Sequence, residues 1–168
     1  MSPIALLHTA LGVTALATGA AVLARRKGDR LHRRLGWVYA GSLLSLCALS
    51  FGLRASTPFF QGLGPFHAAA VVSFVTTALG VWAVRARPAA WLQHHYMWMG
   101  WSYIGLVMAT GGHLQAPLGR ALAAVGVEGA AAVAVSLGVL WGLPPLVGGR
   151  WLKARAARFD RLGAAPAV

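Results

Sequence analysis

Six histidines are the residues in this 168-residue chain best suited to chemistry. Neutral imidazole is a good ligand for iron, copper and zinc. His94 and His95 stand together at the head of an apolar segment that runs on through Gly105. That segment echoes an earlier one. Gly36-Trp37-x-Tyr39-x-Gly41 recurs as Gly100-Trp101-x-Tyr103-x-Gly105, and each copy follows a histidine by four or five residues. The recurrence points to an internal duplication.

The elements that position these residues must lie in a membrane. Hydrophobic residues make up 58% of the chain and charged residues only 11%, with a mean hydropathy of +0.64. Soluble domains carry roughly twice that charge. The expected fold class is all-α: an integral membrane bundle of five transmembrane helices. Its core would be four helices formed by a duplicated two-helix unit. The formal charge of +12 does not imply nucleic acid. The basic residues are segregated into short loops, as topology signals are. The single cysteine, Cys47, excludes an intrachain disulfide. The first apolar run lacks a basic lead and passes directly to a second, so it reads as a span rather than a cleaved signal.

The spans are expected at residues 4–24, 35–53, 64–84, 89–113 and 121–147. Residues 89–96 form an amphipathic lead-in, and 115–120 a turn. Residues 1–149 form the transmembrane domain and 150–168 a basic tail, read as an interfacial helix on the anionic leaflet. Loops one and three and the tail hold six, two and five Lys or Arg, whereas loops two and four hold one each, Arg54 and Arg120. The positive-inside rule then places the N-terminus outside and the C-terminus in the cytoplasm.

The histidines fall at two levels. His8, His67 and His113 lie toward the outer face; His32, His94 and His95 lie toward the inner. In an up-and-down four-helix bundle, helices 1 and 3 are diagonal, as are 2 and 4. His8 can then face His67, and His32 can face His94 or His95. The duplication pairs His8 with His67 and His32 with His95 about an axis along the membrane normal. The two levels are roughly 20–25 Å apart at ~1.5 Å per residue. Histidines from opposite helices suit axial ligation of haem b, and Gly12, Gly36 and Gly100 near them leave room for a flat ring. The leading expectation is therefore a b-type haem protein moving electrons across the membrane, with cofactor-binding residues His8, His67, His32 and His95.

Other chemistries use some of the same residues. Glu128 is the acidic residue expected inside a span, two turns into helix 5. An intramembrane carboxylate marks a functional site by default. With His8, His67 and His113 it would make a non-haem site for zinc, copper or iron, serving a hydrolase or a metal handler. A cofactor-free transporter or lipid-binding module would use the same groups as a proton relay. Each histidine taken singly also suits an interfacial, helix-bonding role. Loop 25–34 has the composition of a phosphate-binding patch, which topology charge explains.

Four motifs carry a family resemblance. They are His8-x-x-x-Gly12; Lys27-Gly28-x-x-x-His32-Arg33-x-x-Gly36; Phe66-His67; and His94-His95-x-x-Trp98-Met99-x-x-Ser102-Tyr103-x-Gly105-Leu106. Over residues 5 to about 145 the chain resembles a large family of predicted bacterial multi-pass membrane proteins known as a domain of unknown function. It departs at Gly112-His113, where relatives usually carry a charged residue. The layout is similar to two-haem membrane cytochromes of the b561 group, an analogy of fold alone. The resemblance implies the bacterial inner membrane. Membrane lipids are the expected partners, with a membrane-bound or soluble electron-transfer partner and a homo-oligomer as further possibilities.

Overall fold

The structure is a computed structural model and describes residues 2–53 and 63–163. Arg54 and most of the connector 54–63 lie outside the described residues. Helices are α1 (Pro3–Ala24), α2 (Arg30–Ser50), α3 (Pro65–Ala86), α4 (Trp91–Ala124), α5 (Gly129–Leu137) and α6 (Leu143–Gly163). A π-helical turn, Gly138–Gly142, joins α5 to α6, so the described residues form five helical rods. Three are long and apolar enough to cross a membrane: Pro3–Ala24, Phe66–Ala86 and Gly129–Ala156. Helices α2 and α4 pack among them but have polar first turns, Arg30–Arg34 and His94–His95, that lower their hydropathy. Large apolar side chains such as Leu6, Val72 and Leu146 point outward, as expected where lipid is the solvent.

Local sequence explains the helix ends. Ser2 caps α1, accepting from the Ala5 N–H, with Pro3 in the first turn. The Lys27 ammonium closes the other end, donating to the Val22 and Leu23 carbonyls at 2.7 and 2.9 Å. Asp29 caps α2, accepting the His32 N–H at 2.6 Å. That bond holds the Asp29 carboxyl below the usual carboxylate range. Thr9, Thr14 and Thr18 donate to carbonyls four residues back, so no hydroxyl of α1 goes unpaired among apolar neighbours.

Packing follows an up-and-down order. Helix α1 lies against α2, α2 against α3, and α3 against α4; α4 touches α1 only lightly and holds α6 on its far side. Helices α1 and α3 are diagonal, as are α2 and α4. The main core joins Ala15, Tyr39, Leu43, Leu46, Cys47, Ala70 and Leu106. The buried positions 39, 43, 46 and 47 of α2 recur at helical spacing, giving one stripe toward the centre.

Three expectations about the C-terminal half are corrected. Residues 115–120 are not a turn. Helix α4 continues through Pro117 for 34 residues, about 50 Å at ~1.5 Å per residue, beyond a hydrocarbon core of ~30 Å. The carbonyl that Pro117 leaves without a donor belongs to exposed His113, where polar surroundings can solvate it. The chain turns later, at Gly126, whose φ of +80° terminates the helix. There the Val127 and Gly126 N–H groups bond the Leu122 and Ala123 carbonyls, a Schellman closure. Glu128 is consequently the exposed N-cap residue of α5 and is not two turns inside a span. The tail is not a separate interfacial helix either. It continues α6 and turns Leu152, 1% exposed, into the bundle. Pro144 and Pro145 lack N–H groups, and the backbone widens into the π turn just before them. Gly111 of α4 meets that turn closely. A Cβ there would stand 3.0 Å from the Leu140 Cβ.

Candidate functional site

The two copies of the Gly-Trp-x-Tyr-x-Gly pattern meet at the bundle centre. Tyr39 on α2 and Tyr103 on α4 have ring centroids 6.2 Å apart. The Ser102 hydroxyl donates to the Met99 carbonyl at 2.8 Å. Its one proton being spent, Tyr39 donates to the Ser102 oxygen, also at 2.8 Å. Tyr103 donates to the Leu16 carbonyl at 3.3 Å. Both rings fit because residue 19 of α1 is glycine. A Cβ there would lie 2.5 Å from Tyr103 and 2.9 Å from Tyr39.

One to two turns from these tyrosines, toward the basic end, the bundle opens into a cavity of about 510 Å³. That size is within the ordinary range for small-molecule sites. All four core helices line it, and Phe159 of α6 adds one wall. His32 of α2 and His95 of α4 both line it, from diagonal helices. His95 Nδ1 lies 2.9 Å from the Gly80 carbonyl. A carbonyl only accepts, so Nδ1 carries the proton and Nε2 keeps its lone pair. This is how metal-ligating histidines are commonly oriented. His32 Nδ1 is buried with no hydrogen-bond partner. Gly36, one turn after His32, has open space where a Cβ would stand. Its counterpart Gly100 has none, because Leu152 packs against it. His94 is exposed.

The cavity is apolar within and basic at its rim, where Lys27, Arg33 and Arg87 contribute to the lining. Burial, with the charges of Lys27 and His95, holds the His32 imidazole below its ordinary value of 6.5. The unfolded chain therefore keeps a proton that the folded chain gives up. Stability should fall as pH drops below about 6.5. Thermal unfolding in detergent between pH 7.5 and 5.5 tests this, and the acid loss should be shallower in His32→Gln. An unchanged pH slope in that variant would count against a titrating, buried His32.

The outer residues are placed differently from the expectation. His67 does not face His8 across the bundle. It folds back on its own helix start: Nδ1 accepts the Gly64 N–H at 3.0 Å and Nε2 lies 3.0 Å from the Leu53 carbonyl. With Nδ1 accepting, Nε2 carries the proton, so neither nitrogen offers a lone pair. The ring is buried at 6% exposure and sits 5.6 Å from that of Phe51. His67→Ala should therefore act as a stability mutation, costing about 1–3 kcal/mol for two backbone groups left unpaired. Chemical or thermal unfolding of the purified variant measures it. His8 is half-buried, with its Nδ1 unpartnered, and lies within electrostatic reach of His113. Among the described residues no three His, Cys, Asp or Glu side chains converge, so His8, His67, His113 and Glu128 do not form one cluster.

Sequence reasoning weighed loop 25–34 as a phosphate-binding patch and explained its Lys27 and Arg33 as topology charge; it placed neither Arg87 nor Phe159 at a cavity. Phe159 stacks on Tyr96, with centroids 4.5 Å apart, a contact between segments remote in sequence. Comparison with known proteins agrees with the membrane reading. The family model described as "Predicted membrane protein (DUF2306)" matches residues 5–144. No match was found among curated proteins or among solved structures.

Proposed function

The chain belongs to the DUF2306 family of predicted membrane proteins, and from its own cavity we infer that it is a b-type haem-binding protein engaged in electron transfer. The observation that carries this is the presence of His32 and His95 on one cavity from diagonal helices. Supporting it are the free lone pair on His95, the orphaned Nδ1 of His32 and the space over Gly36. Haem would supply reversible one-electron transfer. His32 and His95 would hold the iron, the Gly80 carbonyl fixes the His95 ring, and Leu23, Val81 and Met99 would keep water away. The reading is one haem level, near the basic face. The positive-inside rule assigns that face to the cytoplasm of a bacterial inner membrane, so the exchange partner is a membrane-bound or soluble redox protein there. Spectra of purified protein, oxidised and dithionite-reduced, test the reading. A Soret band with a sharp α band on reduction supports it. A colourless protein after expression with haem precursor defeats it.

A second reading has one observation in its favour. The unpartnered His8 nitrogen near His113 offers two imidazoles for a zinc, copper or iron ion at the other face. Metal analysis of the same sample decides it: a bound ion lost in His8→Ala, with colour unchanged, would favour it.

A further inference from the structure

We propose that Lys27, Arg33 and Arg87 form a receptor for the carboxylates of the cavity's ligand, which is then a planar apolar molecule acidic along one edge. The inference rests on the haem reading and adds which way the ring faces and what selects it. Each cation is held in place by a neutral group. Lys27 Nζ donates to the Val22 and Leu23 carbonyls at 2.7 and 2.9 Å, which leaves one of its three N–H bonds unspent. Arg33 Nη1 donates to the Gly28 carbonyl at 3.1 Å, and most of its fork stays open. The Arg87 guanidinium lies over the Trp91 ring, 5.5 Å from its centroid.

Among the described residues none of the three has a carboxylate partner. The ion pair found among the described residues is Arg25–Asp29, at 3.3 Å. Burial and the nearby charge of Arg155 hold the Lys27 ammonium below its usual value, a sign that positive charge here is crowded. Three held cations at the mouth of an apolar cavity match a ligand with a greasy body and anionic edge. Gly28, at φ +87°, makes the turn that brings the Arg33 fork back to the rim.

The test uses metal-free protoporphyrin IX and its dimethyl ester, added to the full chain in detergent and followed by porphyrin fluorescence. Because no iron is involved, the result is independent of histidine ligation. The free acid should bind at least roughly tenfold more tightly than the ester, as expected for charge-assisted bonds, and the preference should shrink as salt is raised. It should disappear in the Lys27→Gln/Arg33→Gln/Arg87→Gln triple variant and largely return with Lys27→Arg/Arg33→Lys in place of the glutamines. Equal binding of acid and ester overturns the receptor while leaving the haem reading to its spectrum. So does a preference that survives the triple variant. Acid preference in a protein that never takes up haem would keep the receptor and remove the histidine ligation.

Discussion

On the proposed haem reading, His95→Ala is expected to abolish haem uptake and its bis-histidine spectrum, and His32→Ala to do the same. The reason is geometric. The two rings line one cavity from diagonal helices. His95 is already turned by the Gly80 carbonyl so that Nε2 faces away from that bond. Losing even an indirect support of a metal ligand typically costs 10- to 100-fold in affinity, so loss of the ligand itself should cost on the order of 100-fold or more. Imidazole added to either alanine variant should restore part of the spectrum by filling the vacated space. His94→Ala is the matched control. It removes a neighbouring, exposed imidazole and should change nothing. Equal effects of His94→Ala and His95→Ala would remove the assignment.

The second large effect separates stability from binding by a pair of glycines. Gly19→Ala should destabilise the protein by about 1–3 kcal/mol, the usual range for overpacking a filled core. The added methyl would press on Tyr103 at 2.5 Å and Tyr39 at 2.9 Å. Neither ring can retreat freely, because Tyr39 is bonded to Ser102 and Tyr103 to the Leu16 carbonyl. Gly36→Leu should behave in the opposite way. Nothing stands within 4 Å of a Cβ at residue 36, so unfolding of the ligand-free protein should be little changed. The leucine would fill the cavity beside His32, and haem uptake should be lost. Thermal unfolding and haem titration on both variants give the comparison. A strongly destabilised Gly36→Leu, or one that still takes up haem, would mean that the space over Gly36 is not the ligand's.

Much of the architecture was legible because membrane burial is a local property of sequence. Apolar runs of sufficient length located the helices. The repeated Gly-Trp-x-Tyr-x-Gly pattern pointed to corresponding positions on α2 and α4, and those two tyrosines meet in the structure. Short connections between successive helices make α2 and α4 diagonal, which is why the sequence alone pairs His32 with the His94-His95 end of α4.

What remained illegible depends on contacts between distant segments. Hydropathy does not show that the Leu53 carbonyl and Gly64 N–H occupy both nitrogens of His67. Neighbours on a helix point about 100° apart, so one of His94 and His95 had to face away. Only the packing of α4 against α3 decided that it is His94. Pro117 suggested a break, yet α4 runs through it and stops at Gly126, where a left-handed residue closes the helix. That displacement moved Glu128 out of the span. The sequence by itself determined an all-α membrane protein with histidines at two levels, because helix length and polarity are set by composition along the chain. Tertiary structure alone decided which imidazoles keep an open nitrogen, because a lone pair is spent or spared by whichever backbone carbonyl or N–H the fold brings to it.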